Sequence, residues 1–305
     1  MSQSTAILIE REPDGVFQRS SGPIRWARFG APDGIPLLML HGTPGSRLKF
    51  SAAHAPGLSH GVDVIAPDRW GYGGTHLPHR ENWSLDAFAD TMAQFMSGLG
   101  YNRFAVAGMS GGGPYALGLA ARLGDRVTSL SLISPVGLVT DPSVPMTSFH
   151  RFCFGPLAKR PWAVRSVFAV YRRALGFAPG LACRVANARA PQVDKAIMAD
   201  CGTSARLLKG FSEGLSAGAS GPAVDLTVFR QVTRDLATRV ACPARVVIGT
   251  ADTNVPPAAA IALAKAIPGA HLDVIDGAGH LWAAQNYDDI IRWVANTASA
   301  QHTLS

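Results

Sequence analysis

The pentapeptide Gly108-Met109-Ser110-Gly111-Gly112 constrains this chain more than any other segment. It closes an apolar run, Arg103-Phe104-Ala105-Val106-Ala107, and precedes a helix-like stretch over 113–120. That pattern predicts a strand, a sharp turn and a helix, with a serine at the apex. A serine there takes a strained backbone conformation, so small residues must flank it and let strand and helix approach closely. The Ser110 oxygen is then pushed into a cleft, beside the N–H groups and positive dipole end of the following helix. The same five residues also suit a glycine-rich helix start with a capping serine, so the motif needs partners elsewhere in the chain.

A nucleophilic serine needs a base, an acid to orient that base, and donors for an oxyanion. In folds that carry such a turn, the chain order is serine, acid, histidine. Downstream, a short apolar strand over 244–249 runs into Thr250-Ala251-Asp252, with Asp252 at a turn. A second strand over 271–275 leads through Gly277-Ala278-Gly279 to His280, read here as opening the final helix. Each candidate lies just past the carboxyl end of a strand, where α/β sheets carry their chemistry. Asp141, in the loop after an apolar strand over 127–133, is the competing acid. It stands seven residues past Ser134, far for a short carboxylate, so Asp252 is preferred. Upstream, Pro36-Leu37-Leu38-Met39-Leu40 runs into His41-Gly42-Thr43-Pro44-Gly45. The backbone N–H groups of Thr43 and Gly111 are the candidate oxyanion donors, and His41 reads as a structural histidine of that loop.

With these segments in view, the chain resembles the α/β-hydrolases of the capped esterase, proline iminopeptidase and meta-cleavage hydrolase group. The resemblance rests on His41 to Gly45, Asp68-Arg69-Trp70-Gly71-Tyr72-Gly73, Gly108 to Gly112, Asp252 and Gly279-His280. It implies an α/β fold, with a mainly parallel sheet flanked by helices and a helical cap inserted after the sixth strand. It implies little about substrate, because this fold hosts many chemistries. Gly111 stands where the similar peptidases carry tryptophan, which speaks against a peptidase. Ser110 stands where epoxide hydrolases and haloalkane dehalogenases carry aspartate, which excludes their mechanism.

The remaining sequence arranges itself around the motifs. Residues 22–30 and their neighbours read as early antiparallel strands, and Ser84 caps a helix over 85–96. Residues 1–135 and 236–305 form the expected core. The stretch 136–235 shows no buried-strand pattern and holds a predicted helix over 161–175, so it is the expected cap, read as a mobile lid. Charge is divided in the same way. The chain has 28 Lys+Arg against 21 Asp+Glu; residues 136–235 hold 13 and 6 of them, so the whole excess lies in the cap. A positive lid can steer an acid-bearing substrate. A solvated surface, with arginines paired to core acids or facing water, is the plainer reading.

Several classes are excluded or disfavoured. An apolar content of 47% argues against disorder. The first residues, Met1 to Glu12, lack the pattern of a signal peptide, and no apolar run is long enough to span a bilayer. The basic residues are dispersed among apolar positions without stacking platforms, against nucleic-acid binding. Phe149, Phe152 and Phe154, near Lys159 and Arg160, offer a peripheral membrane contact, with core packing the favoured role. Cys153, Cys183, Cys201 and Cys242 show neither disulfide nor metal spacing and read as reduced, buried thiols of a cytoplasmic protein. Nothing implies a cofactor or metal, and the oligomeric state stays open. Three functions survive: a Ser-His-Asp hydrolase of small carboxylic esters, a hydrolase of carbon–carbon bonds of the meta-cleavage type, and a non-catalytic binding module on the same frame. An aminopeptidase is disfavoured, because the cap is basic and Glu213 is its one glutamate.

Overall fold

The computed structural model describes residues 15–303, so the Met1 to Glu12 reading lies outside the described residues. Eight strands form one sheet: β1 (Gly15–Phe17), β2 (Ile24–Gly30), β3 (Ile35–Leu40), β4 (Val62–Pro67), β5 (Phe104–Met109), β6 (Val127–Ile133), β7 (Ala244–Gly249) and β8 (His271–Ile275). Their spatial order is β1-β2-β4-β3-β5-β6-β7-β8. β1 pairs β2, and β2 pairs β4, antiparallel; every pairing from β4 to β8 is parallel. The antiparallel start and the parallel remainder are those the sequence predicts.

Helices α1 (His54–His60), α2 (Leu85–Gly98) and α3 (Gly113–Leu123) connect the first six strands. Between β6 and β7 the chain makes seven α-helices and no strand: α4 (Ser148–Phe152), α5 (Pro161–Phe177), α6 (Pro179–Ala186), α7 (Gln192–Ala199), α8 (Cys201–Gly214), α9 (Gly221–Val228) and α10 (Arg234–Thr238). α11 (Pro257–Ala266) joins β7 to β8, and α12 (Tyr287–Thr303) follows β8. β4, β5 and β7 are buried along their whole length. They read as mainly apolar runs, broken only by Asp63 in β4 and Arg245 in β7, because helices cover both faces of the sheet. α2, α3 and α11 pack on one face, and α12 on the other with Phe50 and Ala53. Ser84 caps α2, its Oγ accepting the Ala87 N–H at 3.1 Å.

The structure departs from the sequence reading in four places. The helix expected over 161–175 continues to Phe177. His280 does not open the last helix; a 3-10 turn over Trp282–Gln285 intervenes and α12 starts at Tyr287. Phe154 is buried, but Phe149 and Phe152 are exposed rather than packed in the core. All four cysteines are free, yet only Cys183 is buried and Cys201 faces solvent. No helix among the described residues is long and apolar enough to cross a membrane.

Candidate active site

Ser110 begins a one-turn 3-10 helix, Ser110–Gly112, between β5 and α3, and its φ is +51°. Holding a serine in this left-handed region costs on the order of 1–3 kcal/mol. Tight glycine contacts hold the turn in place. A Cβ at Gly108 would stand 2.5 Å from the Gly112 carbonyl oxygen and 2.7 Å from the Ala116 Cβ. A Cβ at Gly112 would run into the Leu40 carbonyl oxygen at the end of β3. The two glycines thus let β3, β5 and α3 converge beneath the serine.

Three side chains from three strand ends meet there. The Ser110 Oγ lies 2.9 Å from His280 Nε2, and His280 Nδ1 lies 2.8 Å from Asp252 Oδ2. Asp252 is buried, and its other oxygen accepts the N–H groups of Asn254 (2.9 Å) and Val255 (3.1 Å). These bonds fix the carboxylate, which in turn selects the His280 tautomer carrying hydrogen on Nδ1 and leaves Nε2 as an acceptor toward the serine hydroxyl. Asp141 is elsewhere: its carboxylate accepts from Ser143 and from Arg234 Nε at 2.7 Å.

The Gly42–Thr43 backbone passes directly against Ser110. A Cβ added to Gly42 would sit 3.0 Å from the Ser110 Cβ, and one on Gly111 would strike the Thr43 hydroxyl. His41 is fully buried. Its Nε2 accepts the Arg69 N–H at 3.0 Å, and its Nδ1 lies 2.9 Å from the Gly42 carbonyl oxygen. Burial, then the nearby Arg69 charge, pushes its pKa well below the ordinary imidazole value, so it is neutral and spent on the backbone.

Sequence reasoning missed three groups around this site. Asp225 of α9 is fully buried and accepts from the guanidinium of Arg69, the hydroxyls of Tyr72 (2.6 Å) and Tyr115 (2.8 Å), and the hydroxyl of Thr43. Arg69 in turn donates to the carbonyl oxygens of His41 (2.9 Å) and Gly42 (3.1 Å). One carboxylate from the inserted helices thereby braces the whole 41–43 loop. Its signal was a single charge in an otherwise apolar run, Gly-Pro-Ala-Val-Asp-Leu-Thr-Val, which predicts a buried and paired acid.

Asp194 of α7 is the second. It accepts the backbone N–H of His280 (2.9 Å) and of Leu281 (3.0 Å), so it caps the histidine loop. Burial raises its pKa, and the two N–H bonds oppose that rise. Nothing in its amphipathic surroundings distinguished it. The third is Lys49, which lines the recess beside Ser110, His280 and Tyr287. No carboxylate pairs with its ammonium among the described residues; its Nζ lies 6.0 Å from the Phe211 ring centre, and burial pulls its pKa down to about 8.

These contacts reverse the expected direction of pairing. Acids of the inserted helices reach arginines of the core, with Asp225 on Arg69 and Glu213 on Arg47 at 2.8 Å. α7, α8 and α9 are each fastened to the sheet side of the molecule. A lid that moves as one body would have to break all of these contacts.

The site and the fold together define a class. The chain matches the family model for the alpha/beta hydrolase fold over residues 35–286, and it belongs to that family. It is 28% identical over 273 residues to a 2-hydroxymuconate semialdehyde hydrolase of Pseudomonas putida, covering 87% of each chain. Among solved structures it is similar to the enol-lactonase of Burkholderia xenovorans LB400, with a TM-score of 0.70 at 20% identity, covering 93% and 100% of the two chains. It is also similar to a thermophilic esterase of Thermogutta terrifontis, with a TM-score of 0.65 at 23% identity, covering 92% and 94%. The structural likenesses establish the fold, and the family and its relatives support a hydrolase.

Proposed function

We propose that the protein is a serine hydrolase of small carboxylic esters, with Ser110 as nucleophile, His280 as base and Asp252 as its orienting acid. The observation that carries this reading is the unbroken relay from Ser110 Oγ through both ring nitrogens of His280 to a buried Asp252. The Ser110 oxygen attacks the ester carbonyl carbon as its proton passes to His280 Nε2. The carbonyl electrons move onto oxygen, which the N–H groups of Thr43 and Gly111 stabilise at the start of α3. Collapse of that intermediate breaks the bond to the alcohol oxygen, which leaves with the proton from His280. Water, deprotonated by the same imidazole, then attacks the acyl carbon and restores Ser110.

Residues 136–235 act as the cap of this site, with 1–135 and 236–305 as the catalytic core. The anchored helices α7 to α9 shape it, and any motion belongs to the less tethered α5 and α6. The substrate bears an acid group: Lys49, a core-side lysine with no carboxylate partner among the described residues, lines the recess beside Ser110, its Nζ 6.0 Å from the Phe211 ring centre. This differs from steering by the cap arginines, since none of them lines that recess. A free amine is disfavoured as the substrate feature, because Glu213 is engaged by Arg47. We place the enzyme in the cytoplasm, where four free cysteines are at home.

A second reading, hydrolysis of a carbon–carbon bond in a dienoate, is favoured by one observation: the likeness to the Pseudomonas putida semialdehyde hydrolase extends over most of both chains. Lys49 would serve there too, holding the substrate's carboxylate. Short p-nitrophenyl esters and an acid-bearing dienoate, assayed side by side, separate the two. In either case Ser110→Ala should lower kcat by about 10³-fold or more, because members of a triad act as a unit. A variant retaining a tenth of wild-type turnover would refute the nucleophile.

A further inference from the structure

We propose that the outer face of α5 and α6 docks onto an anionic membrane surface. The first observation is where the exposed apolar side chains lie. Of the twelve large apolar residues exposed among the described residues, nine fall between residues 149 and 193. Scattered exposed apolar residues need no explanation, but a concentration of this kind marks a contact surface.

α5 sorts its side chains into two faces. Val164 and Leu175 are buried and point inward. Trp162, Val170 and Phe177 are 70%, 70% and 81% exposed. At 100° per residue these three fall within ~80° of arc, forming one ridge ~22 Å long on the solvent side. α6, which packs against α5, adds Leu181 and Val185, one turn apart and also exposed. The outward side of a surface helix is normally its polar side, whereas here Trp162, Val170 and Phe177 stand on it with Ser166 and Arg173 between them.

The second observation is the charge around that ridge. From residue 142 to residue 193 the sequence has eight Lys or Arg and no Asp or Glu. Arg165, Arg172, Arg173 and Arg184 are exposed on the same two helices. Arg173 lies 5.8 Å from the Phe177 ring, and Arg172 donates to the Ser216 carbonyl oxygen, so neither is spent on a carboxylate. Apolar and aromatic side chains set among unneutralised cations match an interface of acyl chains beneath anionic headgroups. A second copy fits poorly, since two such faces would bring like charges together with no acid on either side. Nucleic acid fits poorly as well, since it would leave an aliphatic ridge of valine and leucine without an apolar partner. The contact is peripheral, because no described helix can span a bilayer.

Vesicle sedimentation of the full chain tests this. Vesicles of phosphatidylcholine with one-third phosphatidylglycerol should bind at least about tenfold more protein than phosphatidylcholine alone. The double substitution Trp162→Ser/Phe177→Ser should lower that binding about tenfold, and Arg165→Glu/Arg173→Glu as much or more. All four residues are exposed, so melting temperatures should stay at the wild-type value and keep a lost contact distinct from a lost fold. Raising salt from ~0.1 M to ~1 M should weaken binding of the wild type. Equal binding to both vesicles, or full binding by either double variant, would overturn the proposal. So would a concentration-dependent dimer that Trp162→Ser/Phe177→Ser dissolves, or duplex DNA binding in the absence of vesicle binding.

Discussion

At the scale of single residues, two side chains make sharp and separable predictions. Asp252 holds the His280 Nδ1–H, and Asp141 is bound to Arg234 and Ser143. Asp252→Asn should leave the fold intact and lower kcat by about 10⁴-fold, because the amide favours the wrong imidazole tautomer. Asp141→Asn should leave turnover near wild type in the same ester assay. The converse pattern would transfer the acid's role. In its proposed role, Lys49 produces a pH effect. Its pKa is pulled down to about 8 by burial, so the free enzyme carries that positive charge below pH 8 and loses it above. For an acid-bearing ester, kcat/KM should therefore fall as pH rises through about 8, while a neutral ester of similar size shows no such step. Lys49→Met should remove the difference by raising KM for the acid-bearing ester alone. An identical pH profile for both esters in the wild type would take Lys49 out of substrate recognition.

At the scale of elements, the turn after β5 and the loop after β3 depend on each other, and α9 braces both. Gly108 and Gly112 were legible as necessary, because a strained serine turn leaves no room for Cβ atoms. The brace was not legible, because it joins Thr43, Arg69, Tyr72, Tyr115 and Asp225 from distant parts of the chain. Pairing across 156 residues, as between Arg69 and Asp225, leaves no local period or spacing to read. Asp225→Asn would leave the buried Arg69 charge without its counter-ion. Breaking such a pair costs roughly 3–5 kcal/mol, which should appear as a lower urea midpoint. The folded fraction should also lose kcat more than KM, since the Thr43 loop would no longer be held against Ser110. An unchanged midpoint would show the brace to be dispensable.

At the scale of the whole molecule, what was legible follows the range of the interactions that determine it. The central strands were readable because each buries a mainly apolar run between two helical layers, whereas the edge strand β8 is only half-buried. Ser110 and Asp252 were readable as candidates because each follows a buried strand, and His280 because a glycine-flanked loop after β8 carries it; the fold then brings the strand ends to one edge of the sheet. The excess charge was readable in amount and position, but not in purpose. Sequence reading directed the cap arginines toward core acids or water; several face water, while two cap acids, Glu213 and Asp225, turn inward to core arginines. Exposed faces carry no period of their own beyond that of the helix that bears them, so Phe149 and Phe152 of α4 passed for core.

The central claim, that Ser110 is an activated nucleophile served by His280, is tested most directly by covalent labelling. A fluorophosphonate reacts with a serine whose proton a nearby base can take, whatever the natural substrate. Intact-mass analysis of the folded protein should show one adduct, mapped by proteolysis to the peptide containing Ser110, absent in Ser110→Ala and slowed by about 10³-fold or more in His280→Ala. No adduct on the folded wild type, or an adduct on another residue at the wild-type rate in Ser110→Ala, would contradict the account.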